Sequence, residues 1–100
     1  MDNPSTTVDE ARAIVRLAAE PWQIGDSVKA AIGRAARRLG MEHRRVRQAW
    51  YGEPAAWRAN ELDGMRARAR DLLAQRQARL QAELEVLARD IAQHLSGPGA

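Results

Sequence analysis

A helical pattern that runs for some 35 residues, from Asn60 to Leu95, limits most strongly what this chain can become. At about 1.5 Å per residue it would span about 50 Å, more than the sixty residues before it can cover as a globule. Asn60 is the expected cap, with Glu61 and Asp63 in the first turn, where the helix dipole favours anions. Leu62, Met65, Ala69 and Leu72 form one apolar stripe along this helix. Leu73, Leu80, Leu84, Leu87 and Ile91 form a second, offset by one residue, with the steps of seven, four, three and four that a coiled coil uses. The first stripe is expected to pack on the N-terminal part of the chain. The second is expected to meet another copy, so these five residues are the candidate dimerisation surface of a homodimer, with Gln77 on the seam able to fix its register. The alternative is a helix that folds back on itself near Gln75 to Gln77. Residues 96–100, SGPGA, read as a flexible tail.

Residues 1–59 read as a small helical domain. Thr7 and Glu10 have the spacing of a capping box, which predicts a helix that starts there. Val8, Ala11, Ile14, Val15 and Ala18 recur at helical spacing, and Pro21 ends the pattern shortly after Ala19. The following PWQIGD segment is a loop, with Trp22 and Ile24 expected to plug the core. Asp26 or Ser27 caps the next helix, whose stripe is Val28, Ala31, Ile32, Ala35 and Leu39. From Gly52 to Asn60 there is no β-branched residue and no alternation, so no β-hairpin is expected and the fold class is all-α.

Between Ile32 and Tyr51 the chain reads IGRAARRLGMEHRRVRQAWY, with Ala36, Gly40 and Val46 at the fifth, ninth and fifteenth places. Each has a steric role in two short helices that cross over a tight turn. Ala36 must be small where the second helix crosses. Gly40 ends the first helix, because glycine takes the left-handed conformation of a helix terminus without steric cost. Ala35, Leu39, Met41, Val46, Ala49 and Trp50 supply the shared core. The second helix, about Glu42 to Tyr51, keeps a polar outer face, and Gly52 with Pro54 closes it.

This motif, at 32–51, resembles the helix-turn-helix of bacterial and phage DNA-binding proteins, over about twenty residues. The IG-x-AA-x-x-LGM run also looks a little like the first helix-turn-helix of mercury-type regulators, from which the arginine-rich continuation departs. The resemblance implies that His43, Arg44, Arg47, Gln48 and Tyr51 face the bases of the major groove. Arg44 and Arg47 suit guanine, Gln48 suits adenine, and Tyr51 lies near the sugar-phosphate backbone. Ser27 at its helix N-terminus, Lys29, Arg34, Arg37, Arg38 and Arg45 are then candidate phosphate contacts. Two ordinary packed helices that meet no nucleic acid would give the same apolar spacing.

Charge distribution points to the same window. Residues 1–28 carry two basic and five acidic groups, residues 29–58 carry eight and two, and residues 59–100 carry six of each, so the net +3 arises from −3, +6 and 0. Clustered cations are what a phosphate backbone rewards, through release of its counterions. Fifteen of the sixteen basic residues are arginine, but with twenty alanines in the chain a GC-rich genome accounts for that preference, and the clustering is the informative part.

Other function classes find little footing. Without cysteine there is no disulfide or thiolate metal site, and a reducing compartment is unopposed. No apolar run approaches the length of a membrane helix, and MDNPSTTVDE lacks the character of a signal peptide, so a cytoplasmic protein is expected. Ser5, Ser27 and Ser96 have no histidine at an interpretable spacing, and no glycine-rich loop could cradle a nucleotide phosphate, so no enzyme, no cofactor and no small-molecule ligand is expected. Asp90 and His94, four apart, are too few for a metal site. The leading expectation is a dimeric, sequence-specific regulator of transcription that binds double-stranded DNA. Rivals are a DNA-packaging or recombination accessory protein, such as a small terminase subunit or an excisionase, and a helical protein-protein adaptor.

Overall fold

The structure, a computed structural model, describes residues 4–96. Four helices account for it: α1 (Pro4–Ala19), α2 (Val28–Leu39), α3 (His43–Trp50) and α4 (Ala59–Leu95), with no strand among the described residues. The chain divides into two units, one ending at Arg70 and the other starting at Asp71, so the division falls inside α4 rather than at its start.

In the first unit α1, α2, α3 and the opening turns of α4 enclose a core of seventeen buried apolar residues. Eight of these are alanine: Ala11, Ala18, Ala19, Ala31, Ala35, Ala36, Ala49 and Ala69. Helices lined with alanine can approach closely, and the larger Val15, Ile32, Leu39, Val46, Trp50, Leu62 and Met65 fill what remains. Burial of each larger aliphatic side chain contributes about 1.5–3 kcal/mol, which a small unit needs. Ion pairing of Arg66 with Glu10, at 2.6 Å, adds a tie between α4 and α1.

Helix ends explain the connections. Ser27 is the N-cap of α2 and accepts a hydrogen bond from the Ala30 amide at 3.0 Å. At the other end of α2, Gly40 adopts φ 64°, its amide donates to the Arg37 carbonyl, and the Met41 amide donates to the Ala36 carbonyl. This paired arrangement satisfies two carbonyls that the helix leaves open and turns the chain sharply into α3. Gly52 repeats it after α3, again at φ 64°, with its amide on the Ala49 carbonyl and the Glu53 amide on the Gln48 carbonyl.

Three sequence expectations need correction. Helix α1 starts at Pro4, so Thr7 lies inside it rather than at its cap. Likewise α4 starts at Ala59, which places Asn60 inside the helix. The Glu61 carboxylate reaches back to the Arg58 amide at 3.2 Å and does the capping instead. Finally, Trp22 and Ile24 do not plug the core. Ile24 is fully exposed and Trp22 about half exposed, its ring tilted at 51° to that of Trp50 with centroids 5.9 Å apart. Trp50 and Trp57 are the tryptophans that enter the core instead. Val28, at the start of the α2 stripe, is also exposed.

In the second unit α4 runs through Gln75–Gln77 without interruption, so the chain does not fold back there. Leu73, Leu80, Leu84, Leu87 and Ile91 are all exposed. Of the expected tail, residues 96–100, Ser96 donates its amide and hydroxyl to the Ala92 carbonyl, and residues 97–100 lie outside the described residues. Among the described residues, no helix is long and apolar enough to cross a membrane.

The glycines separate conformational need from space. Gly40→Ala should lower stability by about 1–2 kcal/mol, because only glycine takes a left-handed backbone cheaply. Gly64→Ala, within α4 and with nothing near the new methyl group, should raise it by about 0.5–1 kcal/mol. Urea denaturation of the two variants measures both signs; equal effects would remove this account of the turn.

Candidate nucleic-acid interface

The arginines of the basic window fall into two groups once their partners are known. Arg34, on α2, donates to the Ala19 carbonyl at 2.7 Å and pairs with Asp26 at 2.8 Å. Arg38, one turn on, donates to the Ala18 and Glu20 carbonyls at 3.0 and 2.6 Å. Both therefore cap the C-terminus of α1, where carbonyls lack intrahelical donors and the dipole favours cations. Arg16 performs the same service for α3, donating to the Trp50 carbonyl at 3.1 Å with its guanidinium 5.0 Å from the Trp50 ring centroid.

Arg45 is held more closely still. Its guanidinium lies 3.8 Å from the Trp57 ring centroid and donates to both Glu61 carboxylate oxygens, the Gln48 side-chain oxygen and the Ala56 carbonyl. Position, stacking and charge together pin the 51–58 connection against α3 and α4. Trp57 is buried by this arrangement, and its Nε1 has no hydrogen-bond partner.

Arg34, Arg38 and Arg45 are thus committed within the chain and are not the free phosphate anchors that clustering alone suggests. Gln48, a candidate base contact, is half-buried and its Oε1 is engaged by Arg45. Ser27 uses its hydroxyl oxygen to cap α2. The other candidates stand differently. On α3, His43, Arg44, Arg47 and Tyr51, the residue that ends it, are exposed, and on α2 so are Lys29 and Arg37. Among the described residues, none forms an ion pair or side-chain hydrogen bond with Arg44, Arg47 or Arg37. At 100° per residue Arg44, Arg47 and Tyr51 share one face of α3, away from buried Val46, Ala49 and Trp50.

The start of α3 runs against stability. Glu42 is its N-cap but makes no side-chain hydrogen bond to it, and no acidic residue lies in its first turn. Arg44 and Arg45 stand there instead, where the helix dipole disfavours cations. Arg45 is paired with Glu61, so Arg44 is the cation left there without a partner.

Sequence reasoning missed Arg68. Its Nη2 lies 3.9 Å from where a Cβ on Gly40 would stand, so this α4 residue adds a cation beside the α2–α3 turn. It also lines a shallow groove with Leu39, Met41, Asn60, Glu61, Gly64 and Met65. Its position one turn after Met65, on the stripe that packs against the first unit, was the available signal. Asp90 and His94 are exposed on α4, and no group of three or more potential metal ligands occurs among the described residues.

Two carboxylates are tuned by these contacts. The Arg34 guanidinium, followed by the Gln23 amide, holds the Asp26 carboxyl below its ordinary value of 3.8. For Glu61 burial pushes upward, but the Arg58 amide and Arg45 guanidinium together outweigh it and leave the group below its ordinary 4.5.

Two outcomes follow from this division. Arg45→Ala should cost about 2 kcal/mol in urea denaturation, through loss of packing on Trp57 and an abandoned Glu61, whereas Arg44→Ala should stay within about 0.5 kcal/mol. Comparable losses would contradict the assignment of the two arginines. Because Asp26 and Glu61 bind protons more weakly folded than unfolded, stability is complete above their ordinary values and falls as pH drops through and below them. Asp26→Asn should make that acid-side loss shallower, and an unchanged denaturation profile from pH 6 down to about 2 would remove Asp26 from it.

No protein-family model, curated protein or solved structure matches this chain.

Proposed function

We propose that this protein binds double-stranded DNA with α2 and α3 acting as a helix-turn-helix, α3 entering the major groove, and that it regulates transcription as a homodimer paired through α4. One observation carries the reading. On a single eight-residue helix, Arg45 is fixed by the fold while Arg44 and Arg47 stand exposed on one face with no partner among the described residues. Stability gives no reason for an unpaired cation at Arg44, where the first turn disfavours it, and offers Arg47 no more than the weak favour of the last turn. Phosphates and guanine edges do, because arginine offers them paired donors.

In this reading Arg44 and Arg47 read bases or phosphates, with His43 and Tyr51 beside them. Lys29, Arg37 and Arg68 add phosphate contacts that orient the protein without reading sequence. The connection after α3 contains no strand, so there is no wing to reach the adjacent minor groove.

Duplex binding across a salt series tests the proposal. Affinity should fall steeply as salt rises from about 50 to 200 mM, and Arg44→Ala with Arg47→Ala should weaken binding about tenfold or more and flatten the salt slope by about 2. Arg79→Ala, the same change of charge in the second unit, should have a much smaller effect. Absence of affinity near 50 mM salt would favour an adaptor that uses the exposed α4 face for another protein. A many-membered ring in solution would favour a packaging role.

A further inference from the structure

Beyond Arg70, α4 leaves one face uncovered: Leu73 is 46% exposed, Leu80 51%, Leu84 60%, Leu87 54% and Ile91 51%. With Gln77 these residues follow steps of four, three, four, three and four, which read the same from either end. Apolar spacing alone therefore accepts a partner helix in either direction. The charges distinguish the two. Residues 70–79 contain Arg70, Arg76 and Arg79 against Asp71, and residues 83–90 contain Glu83, Glu85 and Asp90 against Arg89. One end is positive by two charges and the other negative by two. A parallel copy sets like ends side by side, and an antiparallel copy sets opposite ends together.

We infer that the α4 face docks a second copy of this chain in antiparallel alignment, centred near Ala82. This rests on the reading of α4 as a pairing surface and gives that pairing its direction. In this alignment Leu73 faces the partner's Ile91, Gln77 the partner's Leu87 and Leu80 the partner's Leu84, so every seam position has a counterpart. Arg76 and Asp90 each stand one residue before a seam position, on the same flank. Flanks of one kind meet each other in an antiparallel pair, and Arg76 therefore reaches the partner's Asp90, twice by symmetry. Glu83 meets the partner's Glu83 at the axis, an unfavourable contact that the two outer pairs outnumber. The opposite flank carries Ala74, Gln81 and Ala88, small or uncharged, and allows close approach. In a parallel pair Arg76 would instead meet the partner's Gln81, Glu83 the partner's Ala88 and Asp90 the partner's Leu95, with no ion pair, while Gln77 would meet the partner's Gln77. Arg70 would stand against the partner's Arg70; antiparallel alignment gives it the partner's His94 and sets the two copies of Arg70 about 36 Å apart along the axis.

Because the chain has no cysteine, single-cysteine variants report direction without background. Sedimentation of the full chain should give the mass of a dimer. Under mild oxidation neither Leu73→Cys nor Ile91→Cys alone should form a disulfide-linked dimer, and an equimolar mixture of the two should. Since either variant can weaken the seam, a charge exchange provides a second measure: Arg76→Asp should weaken dimerisation about tenfold, and Asp90→Arg added to it should restore the dimer. Cross-linking of each cysteine variant to itself, or no rescue by the second charge, would overturn the antiparallel alignment while a dimer mass kept the pairing itself. A monomer mass would overturn both. Duplex binding, measured separately, is unaffected by either result as a test of α3.

Discussion

The first unit depends on how the last carbonyls of α1 are satisfied. At the end of α1 the Glu20 amide serves the Leu17 carbonyl, but no backbone amide ahead serves those of Ala18 and Ala19. Arg34 and Arg38 arrive from α2, one turn apart, and donate to Ala18, Ala19 and Glu20. Asp26 completes the arrangement by pairing with Arg34 while it accepts from the Gln23 amide. The loop between α1 and α2 is thereby tied at both ends, and the angle at which α2 leaves it is fixed. Given that angle and the turn at Gly40, α3 has one place to lie and one face to expose.

The same chemistry explains why a basic cluster is an ambiguous signal. Arginine is chosen both for helix ends and stacking inside a protein and for phosphate outside it, because its planar fork serves carbonyls, carboxylates, aromatic faces and nucleic acid alike. Arg44 and Arg45 are adjacent, equally charged and on the same helix, yet one is exposed and the other lies on Trp57 against Glu61. A helical step of 100° separates them, and only the positions of α4 and the 51–58 connection decide which becomes structural. A cation at the start of a short helix that neither caps nor pairs is the more informative observation.

Where local rules decide, the sequence was legible. Gly40 and Gly52 ended helices because no other residue takes their backbone conformation cheaply, Ser27 capped α2, and Pro21 stopped α1. Trp50 and the Val46 and Ala49 pair were read correctly as core from their spacing alone. Errors arose where two local signals competed or where volume mattered. Thr7 and Glu10 carry a capping pattern, but both lie within the helix, which is already formed at Pro4. Asn60 is a good cap in isolation, but Glu61 reaches the Arg58 amide and moves the start forward. Trp22 and Ile24 are apolar, but Trp50 and Trp57 take the bulky places of the core and leave these two on the surface. Apart from Gln48, one turn from Arg45, the partners of Arg34, Arg38 and Arg45 could not be read at all, since they come from residues eight to twenty positions away that only folding brings near.

That alanine core has an implication for how the protein can change. In a core built from leucine and phenylalanine, information lies in bulk, and trimming a side chain is the damaging event. Here nearly half of the buried positions are already trimmed to a single methyl group, so the specification is written as forbidden volume. Drift that enlarges Ala35 or Ala36 forces two helices apart and rotates the exposed face of α3, whereas drift on the uncovered face of α4 meets no packing constraint within the chain. The two halves of the molecule are thus open to evolutionary change by different rules, the first intolerant of added atoms and the second, within one chain, indifferent to them.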